Sequence, residues 1–237
     1  MSELHAEEIS FFHSHTLGIG LDEVGRGPIA GPVVAAACQV ELLDGALGFG
    51  PVLQWLEKCG VKDSKKLSAT QRPQVLRKLG VQTLSCDENC LLSFEEANIK
   101  TLTISIAEIS PLVIDEINIL QASWRAMEQA YMKLNHPQFA KAAVLVDGPY
   151  LPPLLPEVSQ KAPWIKGDSR SLLIGLAAIA AKEYRDDLMK QEDLKYPGYG
   201  LARHAGYPTA QHLEALKKLG VTSIHRRSFK PVKELCE

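Results

Sequence analysis

Short apolar runs that end in glycine, proline or charged residues recur along the chain. The runs at 17–21 and 33–40 have the composition and the Gly and Pro boundaries that are typical of strands. Residues 142–146 form a third, wholly apolar run, and the stretches 81–86 and 101–107 alternate between apolar and polar positions. We therefore predict strands at all five places, the first two paired as a hairpin.

Apolar residues at helical spacing, with capping residues before them, predict the helices. Ser68 is placed to cap one helix, and Ser110 with Pro111 opens another. The predicted helical spans are 52–59, 69–79, 117–134, 171–189 and 209–219. Irregular connections are expected at 87–100, 149–163 and 196–207. Strands first, then strands alternating with helices, indicate an α/β fold: a mixed sheet flanked by helices, with a helical C-terminal part.

The composition indicates a folded protein of a reducing compartment. The chain has 237 residues, 46% of them hydrophobic, which is enough to bury a core. No apolar stretch is long enough to span a bilayer, and residues 1–15 lack the apolar segment of a signal peptide. The five cysteines form no CxxC pair, and Cys86 and Cys90 lack the clustered histidines of a zinc site. We expect a cytoplasmic protein with no membrane partner.

Positive charge is concentrated near the C-terminus although the net charge is -2. Residues 199–230 contain six lysines and arginines, one acid (Glu214) and three histidines, His204, His212 and His225. A basic region beside an acidic site suits a polyanion that is cleaved with the help of metal ions. An ordinary solvated pair of helices would carry the same charges, so this feature alone decides nothing.

Four acids each follow an apolar run: Asp22, Glu23, Asp147 and Asp168. Hydrolysis of a phosphodiester with two divalent ions needs about four carboxylates around a small volume, and hard cations prefer such oxygen ligands. If the runs are neighbouring strands, their ends meet at one edge of the sheet. Adjacent strand residues face opposite sides, so the strand must end or twist at Asp22 for Glu23 to reach the same ions.

Two other interpretations compete for the DEVGRG segment. A hairpin with a charged turn fits that segment equally well. The pattern Gly25 to Ala30 also fits G-x-G-x-x-A, but a dinucleotide-binding loop must open a helix, and a Pro-bounded apolar stretch follows here. The chain has no GxxxxGK[ST], HExxH or GxSxG motif. Spacing alone leaves metal-dependent hydrolysis as a hypothesis.

Seven ordered motifs give the chain a more specific interpretation. They are DEVGRGPIAGPVVAAA, DSKKLS, VDG, KGDSR, AAK..RD, GYPT..H and HRRSF, which begin at Asp22 and end at Phe229. In this order the chain resembles bacterial ribonuclease HII, a type 2 ribonuclease H. The resemblance implies a ribonuclease H-like fold and Mn²⁺ or Mg²⁺ dependence. It also implies two substrates, RNA–DNA hybrids and duplex DNA that contains ribonucleotides, which the enzyme incises on the 5′ side of a single ribonucleotide.

The resemblance also implies roles for individual residues. The metal-binding acids fall at Asp22, Glu23 and Asp147, with the fourth carboxylate at Asp168. A loop that senses the ribonucleotide 2′-hydroxyl falls at Gly25, Arg26 and Gly27, and the tyrosine that stacks at the RNA–DNA junction is Tyr207. Backbone flanked by glycine can approach a 2′-hydroxyl, the group that distinguishes RNA from DNA.

Three further cations are candidates for contacting phosphates or bracing the acids: Lys166, Lys182 and Arg185. Plain surface charges or core salt bridges explain them as well. Lys65 and Lys66 of the DSKKLS motif are expected to be exposed. We divide the chain into an N-terminal extension (1–16), a catalytic domain (17–195) and a C-terminal substrate-binding part (196–237) packed on the same domain.

The chain departs from the family pattern at a few places, none of them a catalytic acid. The segment IGLAAIAAK lacks the usual serines near Gly175 and Ala178, which touches helix packing or a hydrogen bond near the site. Ala205 replaces a common lysine, which removes one phosphate contact. The segments 42–59 and 87–100 are longer than usual.

Alternative functions predict different sequence features. Ribonuclease HIII carries an extra N-terminal domain and lacks the Gly-Arg-Gly loop, whereas only 1–16 precede the first strand here. A hybrid-binding protein without catalysis would have lost an acid, and a phosphatase for small molecules would lack the basic C-terminal region. We expect a metal-dependent endoribonuclease that acts as a monomer.

Overall fold

The hairpin predicted at the start of the chain forms the centre of the sheet. In the computed structural model, which describes residues 5–46, 48–94 and 96–236, strand β1 (Leu17–Val24) pairs antiparallel with β2 (Val33–Leu42). The other strands are β3 (Cys90–Ser93), β4 (Ile99–Ile109), β5 (Ala143–Asp147) and β6 (Gln160–Trp164). Within the described ranges the sheet order is β3-β4-β2-β1-β5-β6, and β5 runs parallel to both β1 and β6.

Helices cover both faces of this sheet. They are α1 (Ala6–Phe11), α2 (Gly50–Cys59), α3 (Gln71–Lys78), α4 (Pro111–Lys133), α5 (Leu172–Lys195), α6 (Leu201–His204) and α7 (Ala210–Leu219). Alternate β2 residues supply the two layers: Val33 and Ala35 pack with α4, while Val34 and Ala36 pack with α5. Because both faces are buried, the strand is apolar except at Gln39 and Glu41, which explains why a strand was predicted from its apolar run.

Side chains before three helices cap their first turns. Ser110, Ser171 and Thr209 accept hydrogen bonds from the backbone N–H three residues later. Ser68 does the same for Gln71, whose side chain accepts from the Ser68 N–H in return, so the predicted cap is a capping box. The capped helices lie close to their predicted positions.

Two predictions about the edge of the sheet were wrong. Residues 81–86 are irregular, although they alternate between apolar and polar positions. The strand that lines the edge of β4 is Cys90–Ser93, inside the segment predicted to be a polar connection. Val81 instead continues the end of α3, donating its N–H to the Leu76 carbonyl. Alternation records which side chains are buried but does not identify a pairing partner.

Three further elements lie in places where no helix or strand was predicted. Strand β6 occupies the end of the Pro-rich segment, helix α6 lies within the predicted loop at 196–207, and α1 lies in the N-terminal extension. Helix α1 is fixed to the core because Phe12, directly after it, is fully buried against Phe49 with ring centroids 4.7 Å apart.

The C-terminal part packs on the loop that follows β1. Ala30 forms a β-bridge with His225, and the Ile29 N–H donates to the Gly206 carbonyl at 2.9 Å. The backbone N–H of Arg227 donates to Asp115 of α4 at 2.8 Å. The C-terminal segment thus holds the loop from one side while the sheet holds it from the other. Among the helices of the described ranges, none combines the length and apolar character needed to cross a bilayer.

Candidate active site

Three acids from the ends of two neighbouring strands come together. Asp22 and Glu23 lie near the end of β1, and Asp147 is the last residue of β5. One carboxylate oxygen from each lies within 4.8 Å of the others. Of the two possibilities expected at Asp22, an end or a twist of the strand, the end is excluded because pairing with β2 continues to Val24. Pairing with β5 does stop after Leu21, which leaves the end of β1 open on the side where the acids meet.

The carboxylates in this cluster are poorly stabilised as anions. Burial raises the pKa of Asp22 well above its usual range, and the charges of Glu23, Asp147 and Asp168 raise it further. Burial also raises the pKa of Glu23, opposed by Arg26, and that of Asp147, with Asp168 adding to the effect. A divalent cation would relieve both the desolvation and the repulsion. Carboxylate oxygens are the donors that Mg²⁺ and Mn²⁺ prefer, so these residues fit such an ion.

The fourth acid lies beside the other three. Asp168 belongs to a 3₁₀ turn, Gly167–Ser169, and is 4% exposed. It is not one of the three acids within 4.8 Å of one another, but its charge reaches Asp22 and Asp147. The Gly167 N–H donates to Asp147 Oδ1 at 2.6 Å, so the turn that carries Asp168 also fixes Asp147.

The DSKKLS segment supplies positive charge to this site. Lys65 is exposed, as expected, yet its Nζ lies 2.9 Å from Oδ2 of Asp168. That contact raises the pKa of Lys65. The ion pair was missed because a lysine pair in a sequence resembles any solvated surface; its place in a motif that accompanies the acids was the available signal.

The three candidate cations have different surroundings. Lys182 is partly buried and donates to the Ser64 hydroxyl; burial lowers its pKa, while Asp22 and Asp168 act in the opposite direction. It therefore lies within electrostatic reach of the acids. Lys166 is exposed, adopts a left-handed backbone conformation (φ 55°), and forms no ion pair with any residue that the structure describes.

Arg185 is a buried brace of the backbone. It is 2% exposed and donates to the carbonyls of Pro32 (3.0 Å), Ala30 (3.1 Å) and Ala205 (2.8 Å). Burial lowers its pKa to about 10. This placement does not fit the expected phosphate contact or a brace of the acids, because all three contacts are backbone carbonyls of the loop after β1 and of the C-terminal part.

The Gly-Arg-Gly loop lies between the acids and the candidate stacking tyrosine. Arg26 Nη1 is 3.3 Å from Glu23 Oε1 on one side. On the other side, a side chain at Gly27 would begin 3.4 Å from the ring of Tyr207, so backbone and ring are neighbours. Tyr207 is 46% exposed, which leaves ring surface open to a ligand. The loop therefore joins the acid cluster to an accessible aromatic face.

A second buried arginine, from the HRRSF motif, fixes this loop from behind. Arg226 is fully buried and donates to the carbonyls of Gly25 (2.6 Å), Arg26 (3.1 Å) and Gly31 (2.9 Å). Burial, together with the charge of Arg185, lowers its pKa to about 9. Sequence reasoning counted Arg226 as part of the basic C-terminal region, but its charge is inside the protein and holds the backbone of the loop.

Two histidines of the same region are also internal. The Thr222 N–H donates to Nδ1 of His225 at 3.2 Å, so His225 carries its proton on Nε2 and donates to Nε2 of His212 at 3.3 Å. His212 then donates from Nδ1 to the Tyr207 carbonyl at 2.9 Å. Burial lowers the pKa of both rings, that of His225 to about 4. These neutral rings position Tyr207 and add no positive charge.

Comparison with known protein sequences identifies one family. The family profile described as Ribonuclease HII matches residues 19–232. A ribonuclease HII from Chlamydia abortus is 41% identical over 236 residues, which cover 99% of this chain and 94% of that protein. A ribonuclease HII from Chlamydia trachomatis is 44% identical over 216 residues, which cover 91% of this chain and 82% of that protein.

Solved structures share the fold at lower sequence identity. Ribonuclease H2 from Pyrococcus horikoshii gives a TM-score of 0.63 at 24% identity, covering 92% of this chain and 96% of that one. RNase HII from Archaeoglobus fulgidus, solved in a complex with PCNA, gives 0.64 at 22% identity and covers 93% and 97%. An RNase HIII in complex with Mn²⁺ gives 0.62 at 16% identity and covers 94% and 70%. The α/β fold expected from the sequence is confirmed.

Proposed function

Because this chain belongs to the ribonuclease HII family and is therefore a metal-dependent ribonuclease of RNA–DNA hybrids, we propose that it also incises duplex DNA on the 5′ side of single embedded ribonucleotides. The observation that carries this proposal is the adjacency of three features: an acid cluster within 4.8 Å, the loop beginning at Gly25, and the exposed ring of Tyr207 beside Gly27. Each would meet a different part of a ribonucleotide-containing strand.

The acids would hold two divalent ions, Mn²⁺ or Mg²⁺. Their four carboxylates are Asp22, Glu23, Asp147 and Asp168. When bound, such ions supply Lewis acidity and stabilise the charge that develops at the attacking and leaving oxygens. The fold holds the carboxylates close together although their anionic forms are disfavoured. The proposed metal ligands are therefore already in position in the metal-free protein. Lys65 and Lys182 add positive charge at its border.

The loop and the tyrosine would select the ribonucleotide. A 2′-hydroxyl both donates and accepts hydrogen bonds, and backbone groups flanked by glycine can approach it closely. Gly25 has φ 91° and a side chain there would begin 2.4 Å from Arg185 Nε, so the loop conformation depends on glycine at this position. The exposed Tyr207 ring would stack on the sugar or base that follows the ribonucleotide.

The substrate would be held chiefly through its phosphates. The exposed cations of the C-terminal part are Arg203, Lys217, Lys218, Arg227, Lys230 and Lys233. Charges of this kind bind a nucleic-acid backbone without regard to sequence. All four acids, the loop and the tyrosine come from one chain, which supports action as a monomer.

Cleavage of a labelled DNA duplex that contains one ribonucleotide tests the proposal. The reactions contain Mn²⁺, Mg²⁺ or EDTA, with an all-DNA duplex and a long RNA–DNA hybrid as controls. We expect metal-dependent incision on the 5′ side of the ribonucleotide, leaving a 3′-hydroxyl and a 5′-phosphate, and no cleavage of all-DNA. Cleavage of the long hybrid alone would contradict the proposed incision at single ribonucleotides and would indicate a specificity like that of ribonuclease HIII. No cleavage of either substrate would leave only a hybrid-binding protein.

A further inference from the structure

We propose that Glu8, on helix α1, is a positioning residue that fixes the two acids Asp168 and Asp147 through the start of helix α5. The inference rests on the proposed metal-binding role of those acids. Glu8 belongs to the N-terminal extension, to which the sequence motifs assign no part in the reaction. It is fully buried, an uncommon location for a carboxylate that does not belong to the acid cluster.

Glu8 binds the first turn of α5 with both carboxylate oxygens. Oε1 accepts from the Ser171 hydroxyl at 2.6 Å and from the Leu173 N–H at 3.2 Å, and Oε2 accepts from the Leu172 N–H at 2.8 Å. The first N–H groups of a helix have no partner within it. Ser171 itself satisfies only that of Ile174, at 3.1 Å. A carboxylate also suits the positive end of the helix dipole.

Short backbone contacts connect this anchored turn to both acids. The Ser171 N–H donates to the Gly167 carbonyl at 2.8 Å, and the Gly167 N–H donates to Asp147 Oδ1 at 2.6 Å. Asp168 lies between these two points. In addition, a side chain at Gly175 of α5 would begin 3.3 Å from the Asp168 carbonyl oxygen, so helix and turn are in close contact. A shift of the α5 N-terminus would therefore move the turn and both carboxylates.

Other contacts keep α1 in place without Glu8. Glu7 forms two hydrogen bonds of 2.7 Å with Arg170, whose guanidinium lies 4.8 Å from the centre of the Trp164 ring. Phe12 is fully buried beyond the end of α1. Substitution of Glu8 should thus leave α1 packed and change mainly the hydrogen bonds at the start of α5.

The test compares Mn²⁺ binding by the full-length wild type and E8Q, measured by calorimetry well below the melting temperature of either protein. Gln keeps the shape of Glu but has one acceptor oxygen, so an N–H group of α5 loses its partner. Loss of a group that orients metal ligands typically weakens metal binding about 10- to 100-fold. We expect a loss of this size, a fall in kcat on the hybrid, and an unchanged KM, because Glu8 is fully buried and cannot contact a bound strand.

S105A is the matched control for stability. Ser105 is fully buried and donates to the Ala130 carbonyl at 2.5 Å on the α4 side of the sheet, so its loss costs a buried hydrogen bond away from the acids. E8Q and S105A should both melt lower than the wild type, but only E8Q should bind Mn²⁺ more weakly. Equal Mn²⁺ binding by E8Q, S105A and the wild type would overturn the inference and leave Glu8 a purely structural residue.

S171A provides a second route if E8Q does not fold. It removes the hydroxyl that donates to Glu8 and that accepts from the Ile174 N–H, while the two N–H contacts of Glu8 remain, so we expect a smaller loss of Mn²⁺ affinity. Wild-type Mn²⁺ affinity in S171A would contradict the inference. A wild type that neither binds Mn²⁺ nor cleaves hybrid would instead overturn the proposed function, and the two failures are therefore distinguishable.

Discussion

At the scale of single residues, the site is built from groups whose charges oppose folding. Asp22 is buried, and the charges of three other acids raise its pKa in addition to burial. A group with a raised carboxylate pKa in the folded state disfavours the folded protein once it ionises. Stability of the metal-free protein from this source is greatest below the pKa of the unfolded state and is lost as pH rises through the folded-state pKa. The proposed metal binding needs the ionised form, so we expect the site to lower stability until a cation binds.

Asp22→Asn tests whether the ionised Asp22 carboxylate destabilises the metal-free protein. The substitution should abolish cleavage, because a metal ligand loses its charge, and it should raise the melting temperature of the metal-free protein at pH 7. The gain should shrink as the pH is lowered toward 4, where Asp22 is protonated in the wild type as well. Thermal melts in EDTA across this range measure it. Asp44→Asn, at an exposed acid, is the control and should shift neither property. A lower melting temperature for Asp22→Asn at pH 7 would contradict the account.

Arg26→Ala and Tyr207→Ala test the selection of ribonucleotides. Arg26 lies within the Gly-Arg-Gly loop and forms an ion pair with Glu23, and the ring of Tyr207 lies beside Gly27 of the same loop. Each variant should lose more activity on a single embedded ribonucleotide than on a long hybrid, which offers many registers for cleavage. Stacking is worth roughly 1–3 kcal/mol per base, or about 5- to 150-fold for Tyr207→Ala. Arg77→Ala, on α3, should leave the ratio unchanged, and equal losses on both substrates would exclude a role in selection.

At the scale of elements, the central strands could be predicted because both of their faces are buried. The edge strands were harder to predict, because the sequence does not show which strand they pair with. The run at 142–146 is apolar throughout, and the run at 33–40 is apolar except at Gln39, because helices cover both sides of the sheet. The irregular segment 81–86 and strand β3 were misassigned because alternation does not show which edge a strand joins. Glu8 and Arg226 were missed because their partners are distant in sequence, and a charged residue in a sequence resembles a solvated one.

Arg226→Lys tests the brace behind the Gly-Arg-Gly loop. A lysine presents its donors from one nitrogen and cannot reproduce the fork that meets three carbonyls. An unpaired buried carbonyl costs about 1–3 kcal/mol, so the melting temperature should fall. Mn²⁺ binding should persist, while preference for a single ribonucleotide over a long hybrid should decline. The neighbouring exposed residue provides the control, Arg227→Lys, which should behave as the wild type. Unchanged preference in Arg226→Lys would mean that the loop needs no such brace.

The paired histidines should make the C-terminal part sensitive to acid. Because the folded state lowers the pKa of His212 and His225, their contribution to stability is complete above pH 6.5 and is lost as pH falls toward 4. Hydrogen exchange in metal-free protein should show earlier opening of 199–232 than of the sheet below pH 6. His225→Asn should reduce this difference, whereas His13→Asn, at an exposed histidine, should not. Uniform opening of all elements would contradict the expectation.

At the scale of the whole molecule, three regions of the chain supply one site. The sheet supplies Asp22, Glu23 and Asp147; the start of α5, held by Glu8, places Asp168; and the C-terminal part fixes the loop and Tyr207. The motifs in the sequence identified the acids and their order because their chemistry requires particular residue types. The supports could not be identified in this way, since a buried arginine on carbonyls or a carboxylate on a helix start can be seen only once the elements are packed.

Metal binding should therefore stabilise the whole fold, and the dependence of this effect on the acids is the most direct test of the account. The measurement is the melting temperature of wild type and Asp147→Asn with Mg²⁺ and with EDTA. At 100 times the dissociation constant a ligand stabilises by about 2.7 kcal/mol, or roughly 5–10 °C for a chain of this size. We expect such a rise in the wild type and little or none in Asp147→Asn. An equal rise in both proteins would place the metal elsewhere and contradict the central claim that this acid cluster holds it.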